Sequence, residues 1–187
     1  MPAVVILTLL CALVQQGAGS TAYEQLLSRI TGARSIACTA VPTNREIVRI
    51  IATRQGKFRI ETAKQLIISN GTIVWNYSPS TNTVTVTSAS QQTTQNILHV
   101  VQTMSQRYRI TTTSATTVTL RPSDGTPYYG IEQLELGFRA QRLISLTITR
   151  AGQTERWQIR SLEFDRLIPD TVFVFTPPPD VEVVDMR

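Results

Sequence analysis

The chain has 187 residues with a formal net charge of +5; 42% of its residues are hydrophobic and 17% are charged. This length suits one domain with a single core, and the composition excludes an intrinsically disordered chain. The basic excess comes from 16 arginines and two lysines, which is compatible with nucleic acid, an anionic membrane surface or an acidic protein as partner.

The N-terminus has the pattern of a secretory signal. An apolar run extends from Ala3 to Val14 and is followed by small residues. The run is too short to span a bilayer but has the length of a signal-peptide core. We therefore expect residues 1–22 to be a signal peptide and residues 23–187 to form one domain. Because no Lys or Arg precedes the run, an incorrectly chosen start codon or a buried first strand remain alternatives.

An amphipathic helix is predicted directly after this segment. Thr21 and Glu24 have the spacing of a capping box, and Gly32 is suited to end the helix. The apolar residues of this helix recur at helical spacing: Tyr23, Leu26, Leu27 and Ile30.

The stretch from Arg45 to Ser88 predicts a β-meander. Asn70-Gly71 is a typical two-residue hairpin turn, so Leu66 to Ser69 should pair with Thr72 to Ser78. Apolar residues alternate with polar ones or with threonine along its strands, which predicts a single apolar face. The residues assigned to that face are Phe58, Ile60, Ile73, Trp75, Tyr77, Val84 and Val86.

A second helix is predicted between the meander and the strands that follow, ending near Arg107. Its apolar stripe makes it the candidate cover for the sheet: Ile97, Val101, Met104 and Tyr108.

The remainder of the chain reads as antiparallel β-structure. Strands are expected before the meander at 35–41, and after the second helix at 109–114 and 116–121 and around Leu134, Ile144 and Trp157. Phe173 and Phe175 alternate in a predicted brief strand that three prolines terminate. The fold class is therefore mainly β with a few short helices.

Catalytic chemistry finds little support in the sequence. His99 is the only histidine, so no set of His, Cys and carboxylate residues has metal-ligand or nucleophile spacing. No phosphate-cradling glycine-rich loop is present. We predict a binding protein without a metal or cofactor, rather than an enzyme.

Two motifs nevertheless resemble those of a known family. The segment TRQGKF…ISNGTIVWNYSP is similar to the R-P-x-x-F…D-G-x-x-x-W-x-Y-x-P signature of the LolA family of periplasmic outer-membrane lipoprotein carriers. The tail FVFTPPPDV resembles that family's F-x-F-x-P-P-x-G-V ending. Gln55, Asn70 and Asp180 replace the usual Pro, Asp and Gly, which are changes in turns.

The resemblance implies a curved, incomplete antiparallel barrel whose apolar cavity is covered by helices. In the family this cavity holds the acyl chains of lipoproteins, which an inner-membrane ABC transporter supplies and an outer-membrane receptor accepts. The expected protein is a monomeric periplasmic chaperone that does not bind nucleic acid. The matching arginine, here Arg54, is implied to latch the barrel to a lid helix. The candidate cavity residues are Phe58, Ile60, Ile73, Trp75, Tyr77, Val101 and Met104.

Two other classes of binding protein are weighed against the carrier. A periplasmic regulatory domain with the same half-barrel would sense lipids or lipoproteins instead of transporting them. A nucleic-acid-binding β-domain would explain the arginines, but it requires aromatic and basic residues on one sheet face. Phe58 and Trp157 alternate with Arg59 and Arg156, which disfavours that class.

Overall fold

The computed structural model describes residues 18–43, 46–91 and 103–187. Helix α1 spans Ala18–Gly32, residues 103–107 are helical, and short 3-10 helices cover Ala89–Gln91 and Asp170–Phe173. The strands, numbered β1 to β12 in chain order, are Ser35–Pro42, Val48–Thr53, Phe58–Glu61, Leu66–Ser69, Ile73–Ser78, Thr83–Ser88, Tyr108–Thr113, Thr117–Pro122, Ile131–Arg139, Arg142–Arg150, Gln153–Phe164 and Glu182–Asp185.

All twelve strands belong to one curved sheet in the order β12-β6-β5-β4-β3-β2-β1-β11-β10-β9-β8-β7. Neighbouring strands are antiparallel except for β12, which lies parallel to β6 at one edge. Strands β12 and β7 are the two edges, so the sheet does not close on itself. The predicted mainly β half-barrel is confirmed, and so is the meander from β2 to β6.

The side of the sheet that faces α1 is called the inner face. Ala22 of α1 is buried against Leu134, Leu136 and Phe138 of β9, with Leu26 packed beside them. Paired residues of antiparallel strands project to the same side of a sheet. The strand pairing therefore identifies which residues of the other strands lie on the inner face. The predicted amphipathic helix is therefore confirmed, and its apolar side covers the inner face.

The start of this helix differs from the predicted one. Its described part begins at Ala18, three residues before Thr21, so Thr21 occupies the interior of the helix and the capping-box assignment is wrong. The end near Gly32 is as expected. Thr31 closes the last turn with its hydroxyl, which donates to the carbonyls of Leu27 at 3.0 Å and Ser28 at 3.1 Å.

The β4–β5 hairpin forms, although its turn is displaced by one residue from the expected Asn70-Gly71. The amide of Asn70 donates to the carbonyl of Ile73 at 3.2 Å, so Gly71 and Thr72 are the two central residues. Gly71 has a φ of +95°, which suits a glycine at the first central position. The side-chain oxygen of Asn70 accepts hydrogen bonds from the backbone amides of Thr72 and Ile73. These bonds stabilise Asn70 at the position before the turn, where its φ is not positive.

The C-terminal segment also differs from the prediction. Phe173 ends a 3-10 helix, Asp170–Phe173, instead of lying in a strand. Strand β12 forms beyond the three prolines and pairs with β6 from Glu182–Thr83 to Asp185–Val86. Its four residues are all exposed. Because neither side of the strand is buried, its sequence does not need the alternation of apolar and polar residues by which a strand is predicted.

Candidate functional site

A cavity of about 420 Å³ lies between α1 and the inner face, where β10 and β11 begin to separate. This volume falls in the range of about 300–1,000 Å³ typical of small-molecule sites. Its wall includes apolar side chains from the helix and both strands: Leu26, Leu143, Ile144, Ile159, Leu162 and Phe164.

The cavity exists because two neighbouring strands change partners. The ladder between β10 and β11 ends at Ser145 and Gln158. From there β11 continues alongside β1, while β10 continues alongside β9. Arg160 is the extra residue of a β-bulge between Ile159 and Ser161, and bulges of this kind bend a strand away from its neighbour.

The apolar wall continues from the cavity into the meander. Phe164 of β11 pairs with Ile36 of β1, Ile36 with Ala52 of β2, and Ala52 with Phe58 of β3. These four side chains therefore form one cross-strand row on the inner face. Phe58 is buried with Ala52 and Val74, and Ile60 packs against them.

The mouth of the cavity is basic. Arg29, Arg139, Arg142 and Arg160 line it, and none of the described residues in its wall is acidic. Arg29 of α1 stacks over the ring of Phe164, with its guanidinium carbon 4.3 Å from the ring centroid. The arrangement joins an apolar interior to a cationic opening.

Arg54 joins the sheet to the last turn of α1. Its Nη2 donates to the carbonyl of Thr31 at 2.6 Å, and its backbone amide donates to the carbonyl of Arg34 at 2.9 Å. The last carbonyls of a helix have no partner within the helix and carry partial negative charge. A cation here satisfies one of them, and the contact connects the sheet to the helix.

The predicted cavity residues of the meander do not share one face. The β3–β4–β5 register places Phe58 with Ser69 and Val74, and Arg59 with Ile68 and Trp75. Trp75 therefore projects to the side opposite Phe58, and Ile73 and Tyr77 project with it. The expectation of a single apolar face is wrong, because apolar side chains are buried on both sides of this part of the sheet, Phe58 and Val74 on the inner side and Ile68 on the outer side.

The cover on the outer face is the C-terminal segment. Phe173 is almost fully buried, and the ring of Phe175 lies 5.7 Å from that of Tyr77. Lys57 binds Asp170 at 2.8 Å and holds the start of this segment against β3. Tyr77 consequently lies against the C-terminal segment, and Ile73 and Trp75 project to the same outer face, away from the cavity.

The second predicted helix is described only in its last turn. Met104 is half-buried and packs against the α1 side of the core, which agrees with its expected place over the inner face. Val101 and His99 lie outside the described residues. The helical turn ends at Arg107, and Tyr108 begins β7.

Several residues of the cavity were not predicted. Leu162 and Phe164 follow a bulge that alternation does not indicate, and the arginines come from three separate segments. The hairpin turn Ala140-Gln141 has positive φ at both residues, +47° and +62°, without the Asn-Gly sequence that marks such turns. The one signal in the sequence for the basic mouth of the cavity was the excess of Lys and Arg over Asp and Glu in the composition.

Two titratable side chains near the inner face have pKa values that are shifted by burial. Burial raises the pKa of the Cys38 thiol and of the Tyr23 phenol above their ordinary values, so both are neutral at physiological pH. Across residues 18–43, 46–91 and 103–187, no group of three or more His, Cys, Asp or Glu residues is placed to hold a metal ion. Within the same ranges, no helix is long and apolar enough to cross a membrane.

Comparison with known proteins agrees with this geometry. Residues 49–176 match the family model of the outer membrane lipoprotein carrier protein LolA. The outer-membrane lipoprotein carrier protein of Coxiella burnetii is 27% identical over 147 residues, which cover 73% of this chain and 69% of the relative. The carrier of Methylibium petroleiphilum is 28% identical over 148 residues, covering 71% and 69%.

A solved structure shares the fold. An uncharacterized conserved protein from Thermus thermophilus superposes with a TM-score of 0.55 at 17% identity, covering 87% of this chain and 98% of that one. Because the family model spans more than half of the sequence, including the Arg54 motif and the meander, the chain belongs to the LolA family of outer-membrane lipoprotein carriers.

Proposed function

We propose that this protein is a periplasmic chaperone that shuttles lipoproteins from the inner to the outer membrane. It holds their acyl chains between α1 and the inner face of the sheet. The observation that carries the proposal is the cavity of about 420 Å³ between α1, β10 and β11, whose apolar wall continues to Phe58 through paired side chains. Phe58, Ile60 and Met104 extend the acyl-binding surface beyond the cavity.

The energetic need for such a surface follows from the cargo. Each methylene group transferred out of water contributes about 0.8 kcal/mol, so one chain of roughly sixteen carbons costs on the order of 10 kcal/mol to expose. Leu26, Ile159, Leu162 and Phe164 supply an apolar environment at the cavity. The described cavity accommodates part of a multiply acylated cargo, and α1 must move outward to admit the rest.

Arg54 provides a way to keep the affinity moderate. The bond between its Nη2 and the Thr31 carbonyl closes α1 onto the sheet. Cargo that displaces α1 must break this bond, which lowers the net affinity, and the bond forms again when cargo leaves. The proposed partners are an inner-membrane ABC transporter that loads the carrier and an outer-membrane receptor that accepts the cargo.

A probe-displacement experiment tests the binding function. We expect a fluorescent fatty acid or bis-naphthalene dye to bind the purified protein and a triacylated lipoprotein to displace it. Leu162→Gln places a polar amide in the cavity wall and should weaken probe binding by about fivefold or more, since a buried amide without partners costs at least about 1 kcal/mol. Leu167→Gln is the matched control, because Leu167 is 94% exposed.

A release assay separates the carrier from a lipoprotein sensor with the same fold. The carrier should release newly made lipoproteins from spheroplasts into the medium, whereas a sensor would bind the probe without releasing them. Absence of probe binding together with absence of release would contradict the carrier function. Equal weakening by Leu162→Gln and Leu167→Gln would show that the probe binds elsewhere.

A further inference from the structure

The arginines at the cavity mouth have no acidic counterpart. Among the described residues, none of Arg29, Arg139, Arg142 and Arg160 takes part in an ion pair. Other arginines of the chain do form such pairs, for example Arg49 with Glu61 at 3.4 Å. The basic character of the mouth is therefore not neutralised within the described fold.

Two of these arginines face each other directly. Arg139 and Arg142 are cross-strand partners at the end of the β9–β10 hairpin, and like charges in directly opposite positions destabilise a sheet. The turn between them is also unfavourable, because neither Ala140 nor Gln141 is a residue that readily adopts a positive φ. These facing arginines cost stability, and no acidic residue of the described fold neutralises them. Such an arrangement indicates that the arginines bind a partner from outside the chain.

The stacking of Arg29 leaves its donors available. Its guanidinium carbon lies over the Phe164 ring, and a stacked guanidinium retains N–H groups at its edge for a carboxylate or phosphate. Phe164 is itself part of the apolar wall. An anionic group at this point would therefore be bound at the boundary between the acyl-binding surface and solvent.

We propose that the mouth formed by Arg29, Arg139, Arg142 and Arg160 binds an anionic group that is covalently attached next to the acyl chains of the ligand. This inference rests on the proposed carrier function and adds the class of cargo that the site prefers. The anion is either a carboxylate of acidic residues beside the acylated cysteine or the phosphate of a lipid headgroup. Both place negative charge within a few bonds of an acyl chain.

Matched ligands test this preference at low salt, with dye displacement as the measurement. One arm compares tripalmitoylated cysteine peptides that continue with two glutamates, two glutamines or two lysines. The other arm compares lysophosphatidylglycerol with a monoacylglycerol of the same chain length, which carries no phosphate. We expect about tenfold tighter binding of the anionic member in at least one arm, because two exposed ion pairs supply roughly that factor. The preference should decrease in 1 M salt, where the screening length is about 3 Å.

The double variant Arg139→Gln and Arg142→Gln should remove this preference while neutral ligands bind as before. Its matched control is Arg109→Gln with Arg121→Gln, which removes a second pair of facing arginines that does not line the cavity. A preference confined to the peptides would identify the cargo's carboxylates, and one confined to the lipids would identify the headgroup phosphate.

Equal affinity for anionic and neutral members in both arms would overturn the anion site and leave the carrier function intact. Retention of the preference in the Arg139 and Arg142 double variant would also overturn it. Failure of every ligand, neutral ones included, would contradict the carrier function and the anion site together.

Discussion

Arg54 shows how one side chain relates the family motif to the structure. The motif identified an arginine at the end of β2, and the structure places its Nη2 at 2.6 Å from the Thr31 carbonyl of α1. The contact is exposed to solvent, so its contribution to stability is small, below about 1 kcal/mol. In the proposed carrier mechanism, the bond acts on the equilibrium between closed and displaced positions of the helix.

Replacement of Arg54 by Leu should separate loading from transfer. In the proposed mechanism this bond stabilises the closed, cargo-free state, so its loss favours the displaced helix and retains cargo for longer. We expect loading from the inner membrane to be preserved and transfer to the receptor to slow by up to about fivefold, which corresponds to about 1 kcal/mol. Transfer of a labelled lipoprotein from a preloaded carrier to receptor-bearing membranes measures this rate.

Arg49→Leu is the matched control for this experiment. It removes the same charge from β2, five residues before Arg54, but the partner of Arg49 is Glu61 and not α1. Unchanged transfer by Arg54→Leu, or equal slowing by Arg49→Leu, would refute the latch. Hydrogen exchange of the last turn of α1 should accelerate only in Arg54→Leu.

At the scale of single elements, the meander illustrates what alternation can predict and what it cannot. Val84 and Val86 are buried and alternate with half-buried threonines, as expected for β6. In β5, however, Val74 is buried on the inner face while Trp75 and Tyr77 are half-buried on the outer face. A strand that is covered on both sides has apolar residues at successive positions, so its sequence does not identify which side faces a cavity.

The C-terminal segment on the outer face shows that a sequence pattern also fails to predict contacts between distant parts of the chain. Phe173 belongs to a segment that crosses the sheet about a hundred residues after the strands beneath it. The local sequence pattern identifies the apolar residues of this segment, but it does not show which strands they pack against. The bulge at Arg160 and the facing arginines of the β9–β10 turn are likewise consequences of strand pairing, and pairing is a tertiary property that one sequence does not display.

The C-terminal segment should be a major source of stability for the meander. Phe173 is 1% exposed, and truncation of such a ring leaves a cavity, so Phe173→Ala should lower the free energy of unfolding by about 3–5 kcal/mol. Urea denaturation followed by tryptophan fluorescence measures the change, because Trp75 lies on the outer face.

Val174→Ala provides the comparison for Phe173→Ala. Val174 is the next residue and is 58% exposed, so its truncation should change stability by no more than about 0.5 kcal/mol. A loss below about 1 kcal/mol for Phe173→Ala would mean that the segment does not remain on the sheet in solution. Binding of the acyl probe by folded Phe173→Ala should be unaffected, because the cavity lies on the other face.

At the scale of the whole molecule, the open sheet gives the two faces different tasks. The outer face of β3 to β6 is closed by the C-terminal segment, through Lys57 and Phe173. On the inner face, α1 packs on β8, β9 and β10, and a cavity remains where β10 and β11 separate. A stable layer on one side thus supports a surface on the other side that can exchange its occupant, which is the requirement of a carrier.

Cys38 is a natural reporter of this inner surface. It pairs with Leu162 of the cavity wall and with Ile50 of β2, so its side chain shares the inner face. Burial raises the pKa of its thiol, and only the thiolate reacts with alkylating reagents. Alkylation should therefore be slow at neutral pH, and its rate should increase about tenfold per pH unit beyond the ordinary thiol range before it levels off.

Occupancy of the cavity should protect this thiol. In the Cys11→Ser variant, where Cys38 is the single thiol, saturating acylated ligand should slow alkylation by iodoacetamide several-fold because the chain covers the inner face. Mass spectrometry of the labelled protein over time measures the rate with and without ligand. At a ligand concentration close to the wild-type dissociation constant, adding Leu162→Gln should largely remove the protection, whereas adding Leu167→Gln should preserve it. Equal alkylation rates with and without bound ligand would place the acyl chain away from the inner surface, and with it the binding site that the cavity predicts.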